Sequence, residues 1–427
     1  MKASTDNISR LSTETADDIM RMFGDDNRLK ARHIILHSLP NDLWFDGIGA
    51  ASNHNVHVIL CDTSPLFIAL ARQVALLSHF PNFDEATAQN RTRITFFSAD
   101  NDCNSLRKAI EEYSPLGNLT HYCPVHNTIY TDNSFRSTLF SGKGSFLDIE
   151  LEYASGTGSS LAEYVRQCCH ANEYITCFGS DTSQSILFNG ECSQFVKVDD
   201  TPISDTERHK YLAETDFTRA MLVNKVYNIG TGLREVSNFD TLNAAEYNMS
   251  LQRLCDEMTP ASITESWQAI SGSDETEMKL SNLFCSDSFN AKLASLDLKP
   301  TDFLTYTRKA QLISKIINPE RLSKSIARQK LERHLQEMAR TEHSRWNVEK
   351  LILGYQPYSP DDHYADERLT PPERAARRKR LKKHHKRHID ICSYKDLMHI
   401  DPASIKYDCL IILAIERILR LESQFKH

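Results

Sequence analysis

In the stretch ARTEHSRWNVEKLILGYQPYSPDD, His343 and Trp346 stand three apart and Lys350 four further on, so a helix would carry all three on one face. Gly354 then offers a left-handed turn to end that helix, and Tyr355 and Tyr358 follow it. Aromatic rings beside donors and a cation suit stacking of a nucleobase, worth about 1–3 kcal/mol per ring. The same rings also suit the core of a small helical module, with His343 hydrogen-bonded inside.

Other chemistry is thinly signalled. The sequence has no G-x-S-x-G, H-E-x-x-H or Walker A pattern. His170, His334 and His343 lack a partner histidine four residues on. GTGSS (156–160) before a helix is a simple loop or a weak anion grip. His384, His385 and His388 sit among cations, which oppose a metal ion. The 11 cysteines form no C-x-x-C pair, and Cys61 and Cys409 lie in apolar runs, as small buried hydrophobes do.

The elements that must position these residues follow from the apolar runs. HIILH (33–37), HVILCD (57–62), RITFFSAD (93–100), YITCFGSD (174–181) and QFVKVDD (194–200) read as strands alternating with helices. The expected fold class is α/β, a Rossmann-like doubly wound parallel sheet over 28–205, after a flexible arm at 1–27. A helical linker region (206–328) and a small, mainly helical module (329–427) complete the chain. The final helix, IKYDCLIILAIERILRL, is apolar almost all round and should be a core helix.

With 33–37 taken as the first strand, the phosphate-binding turn would fall in HSLPNDLWFDGIGAA, where Gly47 and Gly49 come too late and Pro40 and Trp44 intrude. Asp62, at the end of the expected second strand, could hold a ribose hydroxyl or merely open a helix, and VHVILCDTSP is also compatible with a methyltransferase. Ser38, Asp62, Ser180 and Asp181 are the candidate cofactor contacts at strand ends.

Composition narrows the class further. The 427 residues are 40% hydrophobic and 25% charged, as in globular domains. No run reaches the roughly 18 apolar residues of a membrane span. The polar start MKASTDNISRLSTETADD has no apolar core of a signal peptide, so a soluble, cytoplasmic protein is expected. Residues 374–387 hold nine Lys/Arg and no acid, leaving 41 bases against 57 acids elsewhere, a balance of −16. An acidic body with one basic patch argues against a general nucleic-acid binder. The patch itself reads as a solvated, mobile insert or as an anion grip with strong salt dependence.

Over 329–421 the spacing of motifs resembles the RyR domain, the helical module repeated in ryanodine receptors and also found in bacterial proteins. The matching positions are Glu342, His343 and Trp346, then Gly354, Tyr355 and Tyr358, then Asp361 and Asp362, and finally His388, Tyr394, Leu397, Lys406, Tyr407 and Asp408. The family proline after the histidine is Ile389 here, and the insert 364–387 is longer and more basic. The upstream part is similar to TrkA-N-like Rossmann domains that accompany RyR domains in bacteria.

The resemblance implies a non-enzymatic sensor binding a nucleotide ligand, such as an adenine nucleotide or NAD-derived molecule. Its contacts would be Glu342, His343, Trp346, Tyr355, Tyr358, Asp361, Asp362, His388, Tyr394, Lys406 and Asp408. It further implies bacterial stress or anti-phage signalling, with homo-oligomers and a protein effector as partners and no membrane insertion. The alternatives are a divergent NAD- or nucleotide-dependent enzyme and a cytosolic regulatory subunit of a cation transporter.

Overall fold

The computed structural model describes residues 15–39, 48–87, 89–98, 119–123, 128–132, 146–155, 160–215, 217–231, 258–294 and 326–426. The chain divides into two compact units. One contains residues 1–26, 204–343 and 397–427, and the other residues 27–203 and 344–396. The unit that holds the sheet joins residues 27–203 to residues 344–396. The C-terminal segment 329–427, expected as one module, contributes to both units.

The second unit is built on a seven-stranded sheet. Its strands are β1 (Asn55–Leu60), β2 (Thr92–Ser98), β3 (Leu119–Cys123), β4 (Thr128–Asp132), β5 (Ile149–Ser155), β6 (Glu173–Gly179) and β7 (Ser193–Lys197), in the order β4-β3-β5-β2-β1-β6-β7. All pairings are parallel except the β3–β4 hairpin. The central β1 reads NVHVIL, a continuous β-branched and apolar run typical of a strand covered on both faces. The strand order reverses at β1, between β2 on one side and β6 on the other. The connections on the two sides of β1 run in opposite directions across the sheet, so crossovers of the usual right hand place α3 (Pro65–Leu77) and α4 (Ser160–Cys168) on opposite faces, the doubly wound arrangement.

Four expectations change here. HIILH is not a strand: it is the end of helix α2 (Asp26–His37), which follows α1 (Ala16–Phe23). Five apolar residues cannot distinguish strand from helix by period, and burial of Leu29, Ala31, Ile34 and Ile35 decides for the helix. The arm expected at 1–27 therefore includes an ordered α1, closed by a capping box between Thr15 and Asp18 and by Gly24 at φ 82°. The strand ending in Asp62 is the first of the sheet, not the second. Ser38 lies exposed just after α2 and ends no strand.

The first unit is helical. Its elements include α5 (Asp205–Glu214), α6 (Thr218–Thr231), α7 (Pro260–Gln268), α8 (Glu275–Asp287), α9 (Phe289–Ala294) and the last helix of the chain, Ile405–Lys426. That last helix buries Cys409 and the run from Ile411 to Ile415, as its sequence predicts. It packs closely on α6: a Cβ on Gly230 would stand 2.9 Å from Leu410 Cδ1. Trp267 and Phe217 fill the interior with ring centres 5.8 Å apart. Among the described residues no helix is long and apolar enough to cross a membrane. Cys61, Cys168, Cys169, Cys177, Cys192, Cys285, Cys392 and Cys409 form no disulfide.

Helix α10 (Ile326–Ile352) runs from the first unit into the second. Within 344–396 it is followed by β8 (Gln356–Pro357), α11 (Pro360–Glu367), α12 (Pro371–His385), β9 (Arg387–His388) and the start of α13 (Tyr394–Ile400). The basic run is thus not a mobile insert: 374–385 is helical. Thr370 and Glu373 cap its start, and Arg377 and Arg378 pair with Asp362 and Asp366. Neutralised guanidiniums and two prolines at the first turn suit a helix better than a loop. The glycines of the GTG stretch at 156–158 lie outside the described residues.

Candidate functional site

Helix α10 ends as its glycine predicts. Gly354 adopts φ 84°, its N–H donates to the Leu351 carbonyl (3.0 Å), and the Tyr355 N–H donates to that of Lys350 (2.9 Å). This paired closure is a Schellman motif. Lys386, itself left-handed at φ 47°, donates its Nζ to the Leu353 carbonyl at 2.9 Å, and its own carbonyl accepts from the Gln356 N–H at 2.7 Å. The short parallel pair β8–β9 continues this contact. The turn after α10 and the end of the basic helix are thereby fixed together.

That junction assembles an aromatic and cationic cluster. The rings of Trp346 and His388 meet edge to face, with centres 5.0 Å apart. Lys350 Nζ stands 5.7 Å from the Trp346 ring centre and 5.9 Å from that of Tyr355. Lys386 Nζ lies 5.2 Å from the same Tyr355 ring. Trp346, Lys350 and His388 are half-buried, Lys386 is exposed and Tyr355 is buried. A half-buried indole framed by cations offers a stacking surface and counter-charge for an anionic, planar ligand.

Beneath it, buried Glu349 accepts from Lys350 at 2.8 Å and Arg345 at 2.6 Å. Burial alone would raise the Glu349 carboxyl, but the two cations outweigh it and hold it below the usual carboxylate range. Lys350 is therefore braced by Glu349 at the ring edge.

The other expected contacts are distributed differently. Glu342, His343, Lys406 and Asp408 belong to the helical unit. There Glu342 is fully buried against Lys292 at 2.7 Å, and His343 Nδ1 lies 3.5 Å from Asp408. Lys406 Nζ lies 5.2 Å from the ring centre of its neighbour Tyr407. In the sheet unit, Tyr358 is 1% exposed and Tyr394 is buried, so both serve the core. Burial pushes the Tyr358 hydroxyl up to about 12, with Asp366 adding to the shift. Asp362 closes the start of α11 with Ser359 and pairs with Arg377 and Arg387, while Asp361 is exposed in the same turn. Of the eleven, Trp346, Tyr355 and His388 come together. Lys350 and Lys386 complete the set; the first was legible four residues after Trp346, the second only as one cation in a basic run.

The sheet has its own candidate place, the crevice at the strand-order reversal. Asp62 follows β1, and Ser180 and Asp181 follow β6 directly beside it. Both acids are turned into their own backbone. Asp62 accepts from the N–H groups of Thr63 (2.6 Å) and Ser64 (3.0 Å), and Asp181 accepts from the Ser183 N–H (2.8 Å) and hydroxyl (2.7 Å). The β1–α3 turn Cys61–Pro65 contains no glycine. A carboxylate occupies the entry to α3, where a dinucleotide fold would seat phosphate.

In comparisons with known proteins, no family model, no curated protein and no solved structure matched the chain. The resemblance to RyR domains therefore rests on the residues quoted for it.

Proposed function

We propose that the chain is a binding protein that takes up a nucleotide or nucleotide-derived molecule at the cluster of Trp346, Lys350, Tyr355, Lys386 and His388. The observation that carries this is the half-buried Trp346 indole with His388 against its edge and Lys350 5.7 Å from its centre. The base would stack on the exposed part of the indole, and the lysines would meet the phosphates. RyR repeats imply the same ligand class, and a role in bacterial stress or anti-phage signalling rests on that resemblance alone. The negative charge of Asp62 at the entry to α3 disfavours the alternative of an NAD-dependent enzyme using the sheet crevice.

The test is calorimetry and thermal shift of the full chain with ATP, ADP-ribose, NAD and cyclic oligonucleotides, beside Trp346→Ala and Asp62→Ala. A ligand that binds the folded state raises its melting temperature by mass action. Saturable binding lost in a folded Trp346→Ala and retained in Asp62→Ala supports the proposal. The reverse pattern moves the site to the sheet crevice, and no binding by any of these ligands overturns the proposal.

A further inference from the structure

The face of the sheet beneath α4 carries a polar core. Strand alternation puts His57 and Ile59 of β1, Arg93, Thr95 and Phe97 of β2, Glu152 and Ala154 of β5, and Glu173, Ile175 and Cys177 of β6 on that face. Tyr164 of α4 lies over it, and Cys169 follows the end of α4. His57 and Glu173 are fully buried, whereas Cys169 is half-buried and gives a route from solvent.

Hydrogen-bond accounting fixes the histidine. Glu152 Oε1 accepts the hydroxyl hydrogens of Thr95 and Tyr164 and also Arg93 Nη2 at 2.9 Å. Thr95 has then used its one hydrogen, so its oxygen accepts from His57 Nε2–H at 2.8 Å. Nδ1 is left facing two other groups, Glu173 Oε2 at 3.0 Å and Cys169 Sγ at 3.5 Å. The three donor atoms lie within 4.8 Å of one another. Tetrahedral ligands about 2.0–2.3 Å from a zinc ion stand roughly 3.3–3.8 Å apart, so the two separations from His57 Nδ1 lie within a few tenths of an ångström of that range.

A nucleophilic relay does not fit, because it requires the thiol and the carboxylate on opposite ring nitrogens, and here both address Nδ1. A metal ion does fit. The chain from His57 Nε2–H through Thr95 to the Glu152 carboxylate is the outer-shell support that metal-bound histidines use. Glu173 turns its other oxygen to Arg93 Nη1 at 2.5 Å and accepts the His170 N–H at Oε2. With the Cys169 thiolate, Glu152, Glu173 and Arg93, a divalent cation brings the buried charge to zero.

We propose that His57 Nδ1, Cys169 Sγ and Glu173 Oε2 bind one divalent transition-metal ion of the zinc type, with water as a fourth ligand. Binding releases the Cys169 thiol proton, and any proton on His57 Nδ1, to solvent, and no oxidation state changes. The ion would tie β1 and β6 to the end of α4.

The test uses the full chain, stripped with a chelator and dialysed against zinc or cobalt(II), with metal analysis and absorption spectra. One equivalent per chain is expected, with a thiolate-to-cobalt charge-transfer band. Cys169→Ser should lose both, and Cys168→Ser should keep both. A wild-type measurement guards against a misfolded variant: zinc should slow alkylation of Cys169, mapped by mass spectrometry. Absence of stoichiometric metal, an unchanged band in Cys169→Ser, or alkylation indifferent to zinc would each overturn the site.

Discussion

Trp346 and His388 meet edge to face at 5.0 Å although 42 positions separate them, because the left-handed turns at Gly354 and Lys386 bring the end of α10 against the end of α12. The contact leaves the indole half-buried. Replacing Trp346 by Ala should remove one stacking surface, worth about 1–3 kcal/mol, and weaken a purine nucleotide roughly 5- to 150-fold in calorimetry. Trp346→Phe should recover part of this. Equal affinity in wild type and Trp346→Ala would remove the ring from the site.

Lys350 is held beside two aromatic rings by Glu349. Its charge should serve the phosphates rather than the base. In Lys350→Met, a phosphorylated ligand should bind about 2- to 5-fold more weakly, the scale of one solvent-screened ion pair. Its salt dependence should flatten, and the corresponding nucleoside should bind unchanged. A nucleoside weakened as much as its triphosphate would show that Lys350 supports the rings only.

Glu342 is the opposite case. It is 0% exposed and Lys292 2%, with 2.7 Å between them, so this pair is interior to the helical unit. Glu342→Ala leaves an ammonium buried without its carboxylate and should cost about 3–5 kcal/mol in urea unfolding. Glu342→Leu combined with Lys292→Met should recover much of that loss, since apolar pairs replace buried ion pairs at little cost. A direct ligand contact would instead leave stability unchanged and lower affinity.

The sequence made the central strands legible because VHVIL, ITFF and YITCF are continuous β-branched or aromatic runs. It made the end of α10 legible because Gly354 suits a left-handed turn. β5 was missed since IELEYAS carries two glutamates, and Glu152 is buried despite its charge. The same physics hid the His57–Cys169–Glu173 cluster. Polar residues at every second strand position suggest a solvent face, and only α4 lying over that face reverses the meaning. Segment 374–387 looked like a solvated insert because its counter-charges, Asp362 and Asp366, come from another helix.

Asp362 also sets an acid limit on this region. Its carboxylate accepts from Ser359 N (3.1 Å) and Oγ (3.0 Å), and from Arg377 (2.8 Å) and Arg387 (2.9 Å). Burial pushes its pKa up, but the Ser359 hydrogen bonds and the guanidiniums outweigh this and hold it below the ordinary value. A carboxyl with a depressed folded pKa stabilises fully above its unfolded pKa of about 3.9, and that contribution fades as pH falls through the folded value. Asp362→Asn should therefore be less stable than wild type at neutral pH, and the gap should narrow steadily below about pH 4. Urea unfolding across that range reads the difference directly. A gap that stays constant to the lowest pH at which both fold would mean that the Asp362 charge contributes nothing and that only its shape and hydrogen bonds matter.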